Sequence, residues 1–144
     1  MFLLDTNVVS ELRRPDRARR SVVEWAGSVP VTQFFISAIS LLEIERGALR
    51  IARKDAAQGA VLRGWIDEHI LVRFEGRILP VDAAVALRCA PLHVPDPKPE
   101  RDALIAATAL VHGLTVVTRN LEDFAPTGAR LFNPWEAAGS PKEA

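Results

Sequence analysis

The chain of 144 residues lacks most features that would place it outside the ordinary globular class. It has one cysteine, Cys89, so an internal disulfide is excluded and a reducing cytoplasm is the expected compartment. Cys89 stands in an alanine-rich apolar segment and reads as a small core residue rather than a reactive thiol. No apolar run is long enough to span a bilayer. Met1-Phe2-Leu3-Leu4 meets Asp5 at once, with no basic leader, which argues against a secretory signal. Internal repeats and an interdomain linker are also missing. The length fits one domain, expected over residues 1–138 with 139–144 as a flexible tail, and large enough to bury a core without staples.

Net charge is zero, which argues against a uniformly basic binder of nucleic acid. The distribution is less even than the sum, because Arg13, Arg14, Arg17, Arg19 and Arg20 crowd into one short stretch. Such a rim can hold RNA phosphates or an acidic partner segment. The same arginines can equally form a solvated helix face, paired in part with Asp16 and Glu24.

What the chain does have is alternation. Phe2 to Leu4 predicts a first buried strand, and a helix follows over Asn7 to Leu12. Pro15 reads as a break, and Val22, Val23 and Trp25 give the apolar side of a second helix. Gln33-Phe34-Phe35-Ile36 is a strand rich in aromatic and branched residues. Ser37 to Arg53 follows as a helix, then Ala56 to Ile70 as another. Arg77 to Val81 predicts a short strand, with Asp82 placed to cap the helix after it. Three prolines between His93 and Pro99 predict an extended loop. Glu100 to His112 is a helix of small and apolar residues closed by Gly113. Leu114 to Thr118 is a strand, and Ala129 to Phe132 a weaker last one. Alternating strands and helices predict an α/β domain of three layers, with a mostly parallel central sheet flanked by helices.

Four acids stand where an apolar segment gives way to a helix or turn: Asp5, Glu43, Asp102 and Asp123. Right-handed crossovers put all the carboxyl ends of parallel strands on one edge, the edge where such folds bind ligands. Asp5 and the Thr118-Arg119-Asn120 segment fall there. Asp102 lies in the first turn of its helix, where a carboxylate also has a purely structural use against the helix dipole. Ala106 and Ala109 share its face and leave room for close approach to the sheet. If these acids converge they form a cation site, and their mutual repulsion should then be relieved when one is removed. Competing chemistries lack their parts. A phosphatase using Asp5 would want a second acid where Asn7 stands, and a receiver domain would want a lysine where Arg119 stands. His69, His93 and His112 are dispersed without ligand spacing.

The segments Leu3-Leu4-Asp5-Thr6-Asn7, Ile39-Ser40-Leu41-Leu42-Glu43-Ile44-Glu45-Arg46-Gly47, Asp102-Ala103-Leu104-Ile105-Ala106-Ala107-Thr108-Ala109 and Leu114-Thr115-Val116-Val117-Thr118-Arg119-Asn120 resemble the PIN-domain ribonucleases. The likeness is greatest to VapC-type toxins of toxin-antitoxin pairs and extends to Phe132-Asn133-Pro134-Trp135. Four motifs in order across about 135 residues make the resemblance specific.

The resemblance implies a metal-dependent endoribonuclease in which Asp5, Glu43 and Asp102 hold Mg²⁺ or Mn²⁺, hard cations that prefer carboxylate oxygen. Water activated by such an ion attacks a phosphodiester in line. Asp5 and Asp102 are expected as direct ligands, with Glu43 ligating through water or orienting the nucleophile. Thr6, Asn7, Thr118 and Asn120 would orient the carboxylates by hydrogen bonds. Many members carry an acid where this chain has Asn120, so Asp123, in preference to Glu122, is expected to complete the site. A capping role for Asp123 has equal standing. The resemblance further implies an RNA substrate, a VapB-type antitoxin as partner, a homodimer and no membrane association. The alternative is a noncatalytic module that binds a partner or nucleic acid through a PIN-like fold.

Overall fold

A computed structural model describes residues 1–136. The expected tail, 139–144, and the last two residues of the expected domain lie outside the described residues.

Five parallel strands form one sheet in the order β3-β2-β1-β4-β5. They are β1 (Phe2–Leu4), β2 (Phe34–Ser37), β3 (Ile78–Leu79), β4 (Thr115–Val117) and β5 (Leu131–Phe132). Each alternates between two apolar faces, as strands covered on both sides must. Leu4, Phe34, Ile36 and Val117 enter one core cluster, whereas Leu3 and Val116 enter the other. The first cluster is closed by α1 (Thr6–Leu12), α2 (Arg20–Gly27), α3 (Ala38–Lys54) and the end of α4 (Ala56–Trp65). The second is closed by α7 (Glu100–His112), with α6 (Ala83–Cys89) packed on its outer side. The three layers and the parallel sheet are those the alternation predicts.

Most of the differences from the predicted elements lie at their ends. The helix predicted through Ile70 leaves α-geometry at Ile66, widens into a π-turn over Ile66–Ile70 and ends in α5 (Leu71–Arg73). Ile66 and Ile70, four apart, share one face and are both buried in the core. Strand β3 ends with β2, at the Ser37–Leu79 pair, and β5 pairs with β4 only over Leu131 and Phe132.

Caps fix where the helices start. Asp5, Ser37, Asp55 and Asp82 each accept a backbone N–H from the first turn that follows. Pro99 precedes α7, and Gly113 ends it at φ +67°, in the left-handed region that suits glycine. Asp55 also joins α3 to α4 in one residue, and a Cβ built on Gly59 would stand 2.5 Å from Cα of Ala52. Glycine thus permits the tight α3–α4 hairpin that carries Glu43.

Candidate active site

The strand order reverses direction between β1 and β4, so the crevice beyond their carboxyl ends is the topological switch point of the sheet. Asp5 ends β1 there and has no solvent exposure. It is held from every side. Its Oδ1 accepts the Thr6 backbone N–H at 2.8 Å, and its Oδ2 accepts the Thr118 hydroxyl at 2.8 Å and the Asn7 amide at 3.4 Å.

Glu43 arrives from α3, in the second turn after the Ser37 cap. Its Oε1 accepts the Thr6 hydroxyl at 2.6 Å. The nearby Glu45 points elsewhere, into a paired bond with Arg63 of α4 at 2.5 and 2.8 Å. Asp102 arrives from the first turn of α7, whose Ala103, Ala106, Ala107 and Ala109 are fully buried. Small side chains there let the helix lie close to the sheet.

The residue that binds these acids together is Arg101. Its Nη2 lies 2.5 Å from Asp5 Oδ1, its Nε 2.6 Å from Glu43 Oε2 and its Nη1 2.7 Å from Asp102 Oδ1. The sequence reading missed it. One position from Asp102 in a first helical turn, an arginine reads as a solvated charge; the only available signal was that three converging acids need a counter-charge.

The electrostatics follow from that contact. Burial alone would raise the Glu43 pKa, but hydrogen bonds from Arg101 and Thr6, with the charges of Arg101 and Arg46, hold it below the ordinary range. For Asp102 burial wins: it pushes the carboxyl up, Arg101 offsets this only in part, and the charges of Asp123 and Asp5 push the same way as burial. Asp123 therefore lies close enough to Asp102 to act on it, although its side chain is exposed. The hydroxyl of Thr118 accepts the Asn120 backbone N–H at 3.0 Å, so Asn120 supports the site through its main chain.

The donor set fits a hard divalent cation. Three carboxylates from three separate elements already converge on one cationic group, and each presents an oxygen to it within 2.7 Å. Asp5, Glu43 and Asp102 are the residues that would hold an ion there.

The arginines of the stretch have different surroundings. Arg13 lies 5.8 Å over the Trp65 ring, in the wall of an apolar groove of about 560 Å³. Arg20 pairs with Glu24 at 2.7 Å on an exposed face, and Arg14, Arg17 and Arg19 are exposed. Trp25 is a core residue, packed edge-on to Phe2, whereas Trp65 faces the groove.

The three histidines do not come together, but His93 has neighbours of other kinds. Its Nε2 lies 3.7 Å from Cys89 Sγ and 3.9 Å from Glu100 Oε1. The Lys98 backbone N–H donates to His93 Nδ1 at 3.1 Å, which assigns the proton of the neutral ring to Nε2. A protonated Nε2 has no lone pair for a metal, and its N–H faces Cys89 Sγ. Burial, and then the Glu100 charge, raise the Cys89 thiol above its ordinary pKa.

Comparison with known proteins adds an independent line. The PIN domain family matches residues 2–128. Toxin FitB of Neisseria gonorrhoeae is 37% identical over 140 residues, covering 94% of this chain and 99% of that protein. VapC ribonuclease Y4jK of Sinorhizobium fredii is 32% identical over 145 residues, covering 96% and 100%. The crystal structure of FitAcB from Neisseria gonorrhoeae superposes with a TM-score of 0.87 at 36% identity, over 95% of this chain and 100% of that one.

Proposed function

The chain belongs to the PIN-domain family, and on that premise we propose that it is a divalent-metal-dependent endoribonuclease, the toxin of a toxin-antitoxin pair. The observation that carries this reading is the convergence of Asp5, Glu43 and Asp102 on a single cationic position at the switch point of the sheet. Mg²⁺ or Mn²⁺ is the ion the oxygen donors suit, and when bound it supplies an activated water and charge stabilisation at the phosphodiester.

The chain's own residues do the positioning. Asp5, buried and held by Thr6, Asn7 and Thr118, cannot turn away from the site. Glu43 is partly exposed and hydrogen-bonded by Thr6, which suits a carboxylate that orients the attacking water or ligates through one. A carboxylate of this kind is ionised near neutral pH, as a proton acceptor must be. Asp123 supplies further negative charge beside Asp102.

The relative named Toxin FitB and the FitAcB structure support the toxin assignment and a protein partner. The partner is an antitoxin whose apolar segment lies in the groove between α1, α2 and the end of α4. Leu12, Val23, Phe34, Trp65, Ile70 and Phe74 line it, and Arg13 and Arg73 give its rim positive charge for an acidic flank of the segment. Self-association into a homodimer is assigned to the outer stripe of α3, where Leu42 and Leu49, seven apart, are each more than half exposed.

The test is cleavage of a mixed RNA pool by the purified chain after EDTA treatment and metal restoration. Cleavage that returns with Mg²⁺ or Mn²⁺ and is suppressed by the partner supports the reading. Cleavage indifferent to metal, or none under any condition that relieves inhibition, contradicts it and favours a noncatalytic binding module.

A further inference from the structure

Arg101 holds a different carboxylate on each of its three guanidinium nitrogens: Asp5 on Nη2, Glu43 on Nε and Asp102 on Nη1. All three acids are wholly or largely buried, and Asp5 completely so. Three anions this close in a poorly solvated crevice repel one another strongly unless a cation sits between them. The chain provides that cation one residue before Asp102. The oxygens it engages are those a hard divalent ion would take, and a guanidinium and an ion cannot both hold them.

We infer that Arg101 is an internal counter-ion that occupies the metal position of the ion-free protein and must be exchanged for the divalent cation, so that its release limits how tightly the metal binds. This rests on the metal-site reading above and adds a step to it. The way out is open, since the Arg101 side chain is one third exposed and sits in the first turn of α7. Rotation about its own torsions takes the guanidinium to solvent while Asp102, anchored by a buried helix face, stays in place. Loading the site therefore breaks three charge-assisted hydrogen bonds, which Arg101 alone contributes. Arg101 is a positioning residue in this account: it keeps the acids assembled without metal and yields them when metal arrives.

The experiment is calorimetric titration of Mn²⁺ into the ion-free full chain without RNA, for wild type, Arg101→Gln and Arg101→Lys, at one pH and ionic strength. Exchange predicts that Arg101→Gln binds Mn²⁺ at least about tenfold more tightly than wild type, equivalent to about 1.4 kcal/mol. Arg101→Lys should fall between them, because an ammonium keeps the charge but loses the three-way fork. A merely structural role predicts the opposite sign, with looser acids and weaker binding. Equal or weaker affinity in folded variants, with wild type still binding, overturns the exchange and leaves the metal site standing. Absence of binding in all three chains overturns the metal site and the exchange with it. Should Arg101→Gln fail to fold, the sign for Arg101→Lys decides. A second readout needs no variant: the Arg101 Nε–H resonance of wild type should move to a solvent-exchanging position as Mg²⁺ is added, and an unmoved resonance at saturation contradicts release.

Discussion

The guanidinium of Arg101 touches Asp5 at 2.5 Å, and Asp5 has no exposure to solvent. Arg101 donates a charge-assisted hydrogen bond to each of Asp5 and Glu43, and replacing either carboxylate by an amide forfeits that bond while leaving the remaining acids on the guanidinium. The expectation from the sequence, that deleting one acid relieves repulsion, did not count the charge of Arg101 between the acids. Asp5→Asn and Glu43→Gln should each lower the stability of the ion-free protein by about 1–3 kcal/mol, the range for a lost hydrogen bond to a charged group. Urea unfolding in EDTA measures this, and a gain in stability for either variant would contradict the pairing.

The acid limb of the stability profile should separate Glu43 from Asp102. Glu43 has a lowered pKa in the fold, so it contributes stability above its unfolded value of 4.5 that is lost as pH falls through the folded value. Asp102 has a raised pKa, so its ionisation costs stability as pH rises past its unfolded value of 3.8. Between about pH 3 and 6, Glu43→Gln should flatten the rise of stability with pH and Asp102→Asn should steepen it. Denaturant titrations across that window check the two slopes, and slopes that change alike would refute the assigned directions.

Asp123 should matter more to metal use than Glu122, because its charge acts on Asp102. Asp123→Asn is expected to raise the Mn²⁺ concentration for half-maximal cleavage by roughly tenfold, the effect of losing about 1.4 kcal/mol of ion binding. Glu122→Gln should stay near wild type. Equal small shifts would return Asp123 to a capping role.

Two glycines of the α3–α4 hairpin predict opposite effects of alanine. At Gly59 a Cβ would meet the Ala52 backbone at 2.5 Å, so Gly59→Ala should destabilise by about 1–3 kcal/mol despite its better helix propensity. At Gly47 a Cβ meets nothing within 4 Å, and Gly47→Ala should stabilise by up to about 1 kcal/mol. Melting temperatures that move together would argue against the close crossing.

The layers and three of the acids were legible because they depend on short-range pattern. Phe2 to Leu4 reads as a strand, Asp5 ends it, and Asp102 follows a proline loop at the start of an alanine-rich helix. Residues of that kind are fixed by where elements begin and end. Arg101 was not legible, since whether an arginine turns to solvent or to Asp5, 96 positions away, depends on how α7 lies across the sheet. The groove beside Trp65 and the His93–Cys89 contact were hidden for the same reason. Both need the path of a turn, the widening at Ile66–Ile70 in one case and the fold-back of Lys98 onto His93 in the other. Of the arginine stretch, the sequence already offered a solvated face paired in part with Glu24, which Arg20 adopts, whereas the place of Arg13 in the groove wall was hidden.

The most direct measurement is cleavage of one fixed RNA by purified wild type and by Asp5→Asn, each at saturating Mn²⁺ and each after EDTA. Asp5 is the acid that the fold immobilises most completely, and its replacement by an isosteric amide removes charge with least change of shape. The account predicts metal-dependent cleavage by wild type and a loss of at least about a thousandfold in the folded variant, or about 4 kcal/mol of transition-state stabilisation. A folded Asp5→Asn that cleaves at the wild-type rate, or wild-type cleavage that survives EDTA, would contradict it.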